Sequence, residues 1–343
     1  MVNARTVALG ITASVLAIFI AGTVARGAAQ TGSPAAIGTE SGERTVEDGG
    51  TGRYKAIAVG NSSIPTHTIY RPKDLSAFGD REKLPILAWG NGGCSNSNAA
   101  HQNYLSEIAS HGYLIIAIGP IQAGGRGARG AAPAEGAPPV PSGGTLLDAI
   151  NWATAQNANA QSPYYRKLDT SKVAAGGHSC GGLQALEISP DQRVKTTLVV
   201  DSGILNTPGA PRGAAAPGAA PAGAGRGGAG GGNLPGMPPL TKELLAKLHA
   251  PAFYLLGGET DIAYVNGMDD FKRIEKIPVF VANKGVGHGG TFSQPHGGDW
   301  AMTSVAWLDW QFKGNAEAGK LFTGNPPGLA QKEGWTVDKK NIP

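Results

Sequence analysis

The stretch Gly177-His178-Ser179-Cys180-Gly181 constrains this chain more than any other. Before it stands a short apolar run, Lys172-Val173-Ala174-Ala175, that reads as a buried strand. After it, Leu183, Ala185 and Leu186 recur at helical spacing between Cys180 and Ile188. A serine on a sharp strand-to-helix turn stands clear of the backbone, where an electrophilic carbon can reach its oxygen. Such a turn needs small residues two before and two after the serine, because neighbouring backbone passes there without room for a side chain. In a chain with 53 Gly the five-residue pattern alone says little; an ordinary glycine-lined turn would show it too. The flanking strand and helix make Ser179 a candidate nucleophile.

The surrounding sequence alternates strand and helix. Ala56 to Val59 and Thr66 to Tyr70 read as short strands. Leu84 to Trp89 and Tyr113 to Ile118 are apolar runs of the kind buried on both faces, with a helix carrying Leu105, Ile108 and Ala109 between them. A helix marked by Leu146, Ile150 and Ala153 precedes the Ser179 strand. Strands follow at Thr196 to Val200, Ala252 to Leu256 and Pro278 to Ala282, the last of these expected to be the chain's final strand. Helices are expected around Leu240 to Leu248, around Met268 to Ile274, and through Ala301, Val305, Leu308 and Phe312. This alternation predicts an α/β fold with a mostly parallel central sheet and helices on both faces.

Of 343 residues only 16% are charged, and Gly is concentrated, so part of the chain falls outside the packed domain. Residues 121–143 and 207–239 are Gly/Ala/Pro-rich insertions, expected to be disordered because they bury too little apolar surface to offset ordering entropy. Residues 30–52 read as a flexible linker and 53–343 as the folded domain. Residues 1–29 read as a signal peptide: Arg5 opens it, an apolar run follows from Thr6 to Ala25, and Gly27-Ala28-Ala29 offers a small-residue cleavage site. An uncleaved membrane anchor is the competing reading of that run. Either way the domain is expected outside the cytoplasm, secreted, with no stable membrane association once the leader is removed. The formal net charge of +4 comes without a basic cluster beside aromatics, which argues against a nucleic-acid partner.

A serine hydroxyl needs a base to take its proton, and the base needs a partner to orient it. In an open parallel sheet such groups gather at the carboxyl ends of strands. Ser179, Asp261 and His288 each follow a strand, in the order nucleophile, acid, histidine that accompanies a nucleophile turn of this kind. Asp201 is the rival acid and Glu259 a weaker one; Asp261 could instead cap the helix that follows it. His296 is the rival histidine, and His178, beside the serine, reads as a packing residue. An oxyanion needs donors: the N–H of Cys180, and one from the loop Gly90-Asn91-Gly92-Gly93-Cys94, with Gly93 first choice and Cys94 second. The only two cysteines then fall on the two halves of that site. In an exported protein this suggests a Cys94–Cys180 disulfide, against two small buried thiols. No Cys/His spacing suggests a zinc site, so no metal and no organic cofactor are expected.

These segments resemble the α/β-hydrolase superfamily, in particular secreted esterases related to dienelactone hydrolases, chlorophyllase-like proteins and polyester-degrading cutinases. The carriers are Trp89-Gly90-Asn91-Gly92-Gly93-Cys94, Glu107-Ile108-Ala109-Ser110-His111-Gly112-Tyr113, Gly177-His178-Ser179-Cys180-Gly181-Gly182, and the Asp261 and His288 loops, from about Tyr54 to the C-terminus. The resemblance implies an α/β-hydrolase fold and a serine hydrolase of carboxylic esters, small or polymeric, working through an acyl-enzyme as an expected monomer. A peptidase or amidase on the same fold, and a noncatalytic binding protein on that scaffold, are the other readings. The two insertions depart from the pattern; the second follows the Asp201 strand, where many relatives carry a cap.

Overall fold

The computed structural model describes Met1 and residues 36–121, 141–206 and 237–343. The leader beyond Met1 and most of both insertions therefore lie outside the described residues. Ten strands form one mixed sheet: β1 (Glu40–Arg44), β2 (Ala56–Asn61), β3 (His67–Pro72), β4 (Leu84–Gly90), β5 (Leu114–Ile118), β6 (Leu168–His178), β7 (Val194–Val200), β8 (Ala252–Leu256), β9 (Val279–Lys284) and β10 (Trp335–Lys340). Their order is β1-β2-β3-β5-β4-β6-β7-β8-β9-β10. From β5 to β9 every neighbouring pair is parallel; the pairs outside that block are antiparallel.

Strands of the parallel block are buried on both faces, which is why they read as continuous apolar runs. Alternate side chains serve opposite layers. Leu87, Trp89, Phe253 and Leu255 pack under α1 (Gln102–Ser110) and α5 (Gly298–Lys313). Ile86 and Ala88 pack under α2 (Gly143–Ala158), while Tyr254 and Leu256 face α3 (Cys180–Ile188) and α4 (Tyr264–Arg273). Each fully buried large apolar side chain contributes about 1.5–3 kcal/mol. A one-turn helix, α6 (Ala316–Gly319), follows α5.

Three expectations are corrected. The linker read over 30–52 carries β1, a strand without apolar residues. Edge pairing with β2 holds it, together with an ion pair from Glu40 to the nearly buried Arg71 at 2.6 Å and a hydrogen bond from Tyr164 Oη to Glu40. Next, Pro278 to Ala282 is not the final strand: β10 adds antiparallel to β9, and its polar Asp338-Lys339-Lys340 end is what a solvated edge strand tolerates. Finally, Lys242–Lys247 is a 3-10 segment and not an α-helix. At the margins of the insertions, Ser142 precedes α2 with its N–H donating to Thr145 Oγ1 at 3.1 Å, and Gly143 is the first helical residue. No helix among the described residues is long and apolar enough to cross a membrane.

Strand order reverses around β4, with β5 on one side and β6 on the other. Crevices at the carboxyl edge of such a reversal are where open α/β sheets bind ligands. The loops after β4, β6, β7, β8 and β9 all emerge at that edge, and they carry Gly93 and Cys94, Ser179, Asp201, Asp261 and His288 respectively.

Candidate active site

Ser179 is the one residue between β6 and α3, with φ 56° and ψ −117°. A non-glycine residue in that region costs on the order of 1–3 kcal/mol, so its surroundings must impose the conformation. Its N–H donates to Val200 O at 2.8 Å, and Ser202 Oγ donates to its carbonyl at 2.6 Å. The flanking glycines are required by contact: a Cβ on Gly177 would stand 2.3 Å from the Gly181 carbonyl, and one on Gly181 would stand 2.1 Å from Gly90 C. Strand, turn and helix close-pack through backbone alone.

The structure brings Ser179, His288 and Asp261 together from three separate loops. His288 Nε2 lies 2.8 Å from Ser179 Oγ, and His288 Nδ1 lies 2.6 Å from Asp261 Oδ1. A carboxylate only accepts, so Nδ1 carries the ring proton and Nε2 is left to accept from the serine hydroxyl. Asp261 is buried. Its Oδ1 also accepts the Ala263 N–H at 2.8 Å, and its Oδ2 accepts the Gly257 N–H at 3.1 Å. Burial pushes this carboxyl up, but the His288 bond and charge and the two backbone N–H groups outweigh it, so Asp261 sits below the ordinary carboxylate value. The rivals stand elsewhere. Asp201, fully buried, accepts from Trp300 Nε1 at 3.3 Å. His296 faces Glu47 at 3.3 Å, away from the serine. Glu259 is exposed.

Gly93 and Cys94 lie in a 3-10 turn after β4, with φ of 65° and 50°. Cys180 opens α3, where the first N–H groups have no intrahelical acceptor. The expected disulfide joins Cys94 to Cys180, with 5.1 Å between Cα atoms, and no cysteine is free. It ties the loop after β4 to the start of α3. Beside His288, an open cleft is bounded by Asp201, Ser202, Leu205, Ile262, Ala263 and Asn266. Among the described residues, no group of three or more His, Cys, Asp or Glu side chains is arranged to hold a metal ion.

Sequence reasoning missed the layer behind these residues. His178 Nε2 lies 2.8 Å from the backbone carbonyl of His288, so it donates there. Its Nδ1 then accepts from His101 Nε2 at 3.2 Å. Burial, with the neighbouring His178 second, holds His101 well below the ordinary imidazole value and therefore neutral. Phe292 packs edge-on against both rings. Adjacency of His178 to the serine was visible in the sequence, but its aim at a loop 110 residues away was not. No protein-family model matches the chain, and no curated protein matches it.

Proposed function

We propose that this chain is a serine hydrolase of carboxylic esters with an α/β-hydrolase fold, exported from the cytoplasm. One observation carries the reading: the Ser179 Oγ, His288 and Asp261 hydrogen-bonded chain at the carboxyl edge of the sheet, with the serine on a strained turn at the head of a helix. In the proposed mechanism Ser179 Oγ attacks the acyl carbon while His288 Nε2 takes its proton. Asp261 holds the imidazole in the required tautomer and stabilises its charged form. The oxyanion is held by the N–H groups of Cys180 and of Gly93 or Cys94, each donor of this kind being worth about a hundred- to a thousand-fold in rate. His288 returns the proton to the leaving alcohol, then activates the water that releases the acid. The disulfide fits an oxidising compartment.

The test is an acyl series of p-nitrophenyl esters, acetate through palmitate, with wild type and Ser179→Ala side by side. Turnover that disappears in the variant is the expected result, and its acyl-length profile separates a short-chain esterase from a lipase. Turnover that survives Ser179→Ala refutes the serine mechanism, and matched amide substrates that are cleaved faster than esters would move the activity to peptidase chemistry.

A further inference from the structure

His288 stands on a loop rich in glycine. Gly285, Gly287, Gly289 and Gly290 surround it, and a Cβ on Gly285 or Gly289 would meet nothing within 4 Å. Glycine backbone loses more conformational freedom on ordering than any other, so the hold on this loop must come from outside it. Two hydrogen bonds tie it down, one on either side of the base. The Gly287 N–H donates to Gly257 O, in the loop that carries Asp261, at 2.8 Å. On the other side the His288 carbonyl accepts from His178 Nε2, also at 2.8 Å. A carbonyl only accepts, so the proton of this bond is on Nε2. Asp201 Oδ2 stands farther from the same nitrogen, at 3.7 Å.

His178 is itself well fixed. It ends β6, in register with Val200 of β7, and the next residue is Ser179. Its ring packs against His101, Phe292 and His288, at 5.1, 4.9 and 5.2 Å between centroids. Its Nδ1 lies 3.2 Å from His101 Nε2, and that second hydrogen bond sets the rotation of the ring. Gly92, in the loop after β4, leaves the ring its room: a Cβ there would stand 2.6 Å from His178 Nδ1. The strand end that presents the serine therefore also grips the backbone of its base, through the residue just before the serine. We propose that His178 is a positioning residue: its Nε2–H anchors the His288 carbonyl and so sets the 2.8 Å separation of His288 Nε2 from Ser179 Oγ. A displacement of about 1 Å in such a pair costs on the order of a hundred-fold in rate. The proposal rests on the reading of Ser179, His288 and Asp261 as the reacting chain.

The test separates the hydrogen bond from the packing, on the full chain. His178→Phe keeps an aromatic ring against Phe292 and removes the donor. His178→Gln returns an N–H near the position of Nε2. In p-nitrophenyl ester hydrolysis His178→Phe should lower kcat about ten- to a hundred-fold with KM little changed, the scale of a misplaced catalytic group. His178→Gln should recover most of that loss. Backbone hydrogen exchange over residues 285–292 should quicken several-fold in His178→Phe and return toward the wild-type rate in His178→Gln, with α3 unchanged in both. Nitrogen-15 spectra of the histidine-labelled wild type should show the His178 proton on Nε2. A kcat for His178→Phe within a few-fold of wild type overturns the proposal, as does an equal loss in His178→Gln, unchanged exchange over 285–292 in His178→Phe, or a His178 without a proton on Nε2. If His178→Phe fails to fold, by circular dichroism, the spectrum and the kinetics of His178→Gln still decide. A wild type that turns over no ester would defeat the catalytic reading, while exchange and spectrum continued to report whether His178 holds the loop.

Discussion

His288 and His296 lie in one loop between β9 and α5, and each has carboxylates at Nδ1, yet their surroundings differ in kind. His288 meets a single fully buried carboxylate on one side and a serine hydroxyl on the other, both at hydrogen-bond distance. His296, at φ 54°, faces Glu47, Asp48 and Glu107 at 3.3 to 3.7 Å on a half-buried flank, and its N–H donates to Glu47 at 2.8 Å. One histidine sits between a buried carboxylate and a serine hydroxyl. The other clamps its loop to the segment after β1 and to α1. A carboxylate beside a histidine is therefore no sign of catalysis; what the second ring nitrogen meets decides.

The comparison breaks first at the serine. Ser179→Ala and His288→Ala should each cut ester turnover by about 10⁴- to 10⁶-fold with circular dichroism unchanged, whereas His296→Ala should stay within a few-fold. Equal losses at the two histidines would erase the distinction. Next, Asp261→Asn should cost about 10⁴-fold in kcat, because the amide favours the wrong imidazole tautomer. Should Asp201→Asn cost more than Asp261→Asn in the same assay, the acid has been misassigned. The disulfide comes third. It closes a separation of 86 residues, and removing it as Cys94→Ala with Cys180→Ala should lower stability by about 4 kcal/mol in urea unfolding. Because it ties the two expected donor loops, kcat should fall as well; unchanged kcat would leave it a purely structural staple.

The smallest effect sharpens the His296 side. Burial raises the Glu107 carboxyl, but hydrogen bonds from His111 and Thr51 outweigh it and hold the group below its ordinary value. A depressed folded value gives stability that is present above the unfolded value and lost as pH falls through the folded one. Glu107→Gln should therefore flatten the loss of stability between roughly pH 5 and pH 3, read from urea midpoints, while leaving ester turnover at neutral pH within a few-fold. A large loss of turnover would make the clamp part of the site.

How much of this could be read beforehand varies by element. The interior strands announced themselves because burial on both faces leaves an apolar run, as in Leu84 to Trp89 and Ala252 to Leu256. β1 and β10 did not, because an edge strand is held by backbone pairing that any side chain can accompany; Glu40-Ser41-Gly42-Glu43-Arg44 has no apolar signature at all. The nearness of Cys94 and Cys180 followed from placing both at one carboxyl edge. The His101–His178 pair did not, since ring orientation depends on packing around Phe292.

By itself the sequence determined the local geometry around Ser179 and the alternation that builds the sheet. Both are short-range: glycine contacts and the periodicity of burial are written into neighbouring residues. Only the tertiary structure put His288 within hydrogen-bond distance of both Ser179 and Asp261, and turned His296 toward Glu47. Those placements depend on hydrogen-bond donors and acceptors carried by loops 27 to 109 residues apart, to within a few tenths of an ångström. Packing of the whole sheet and its helices sets such distances, and no local pattern encodes them.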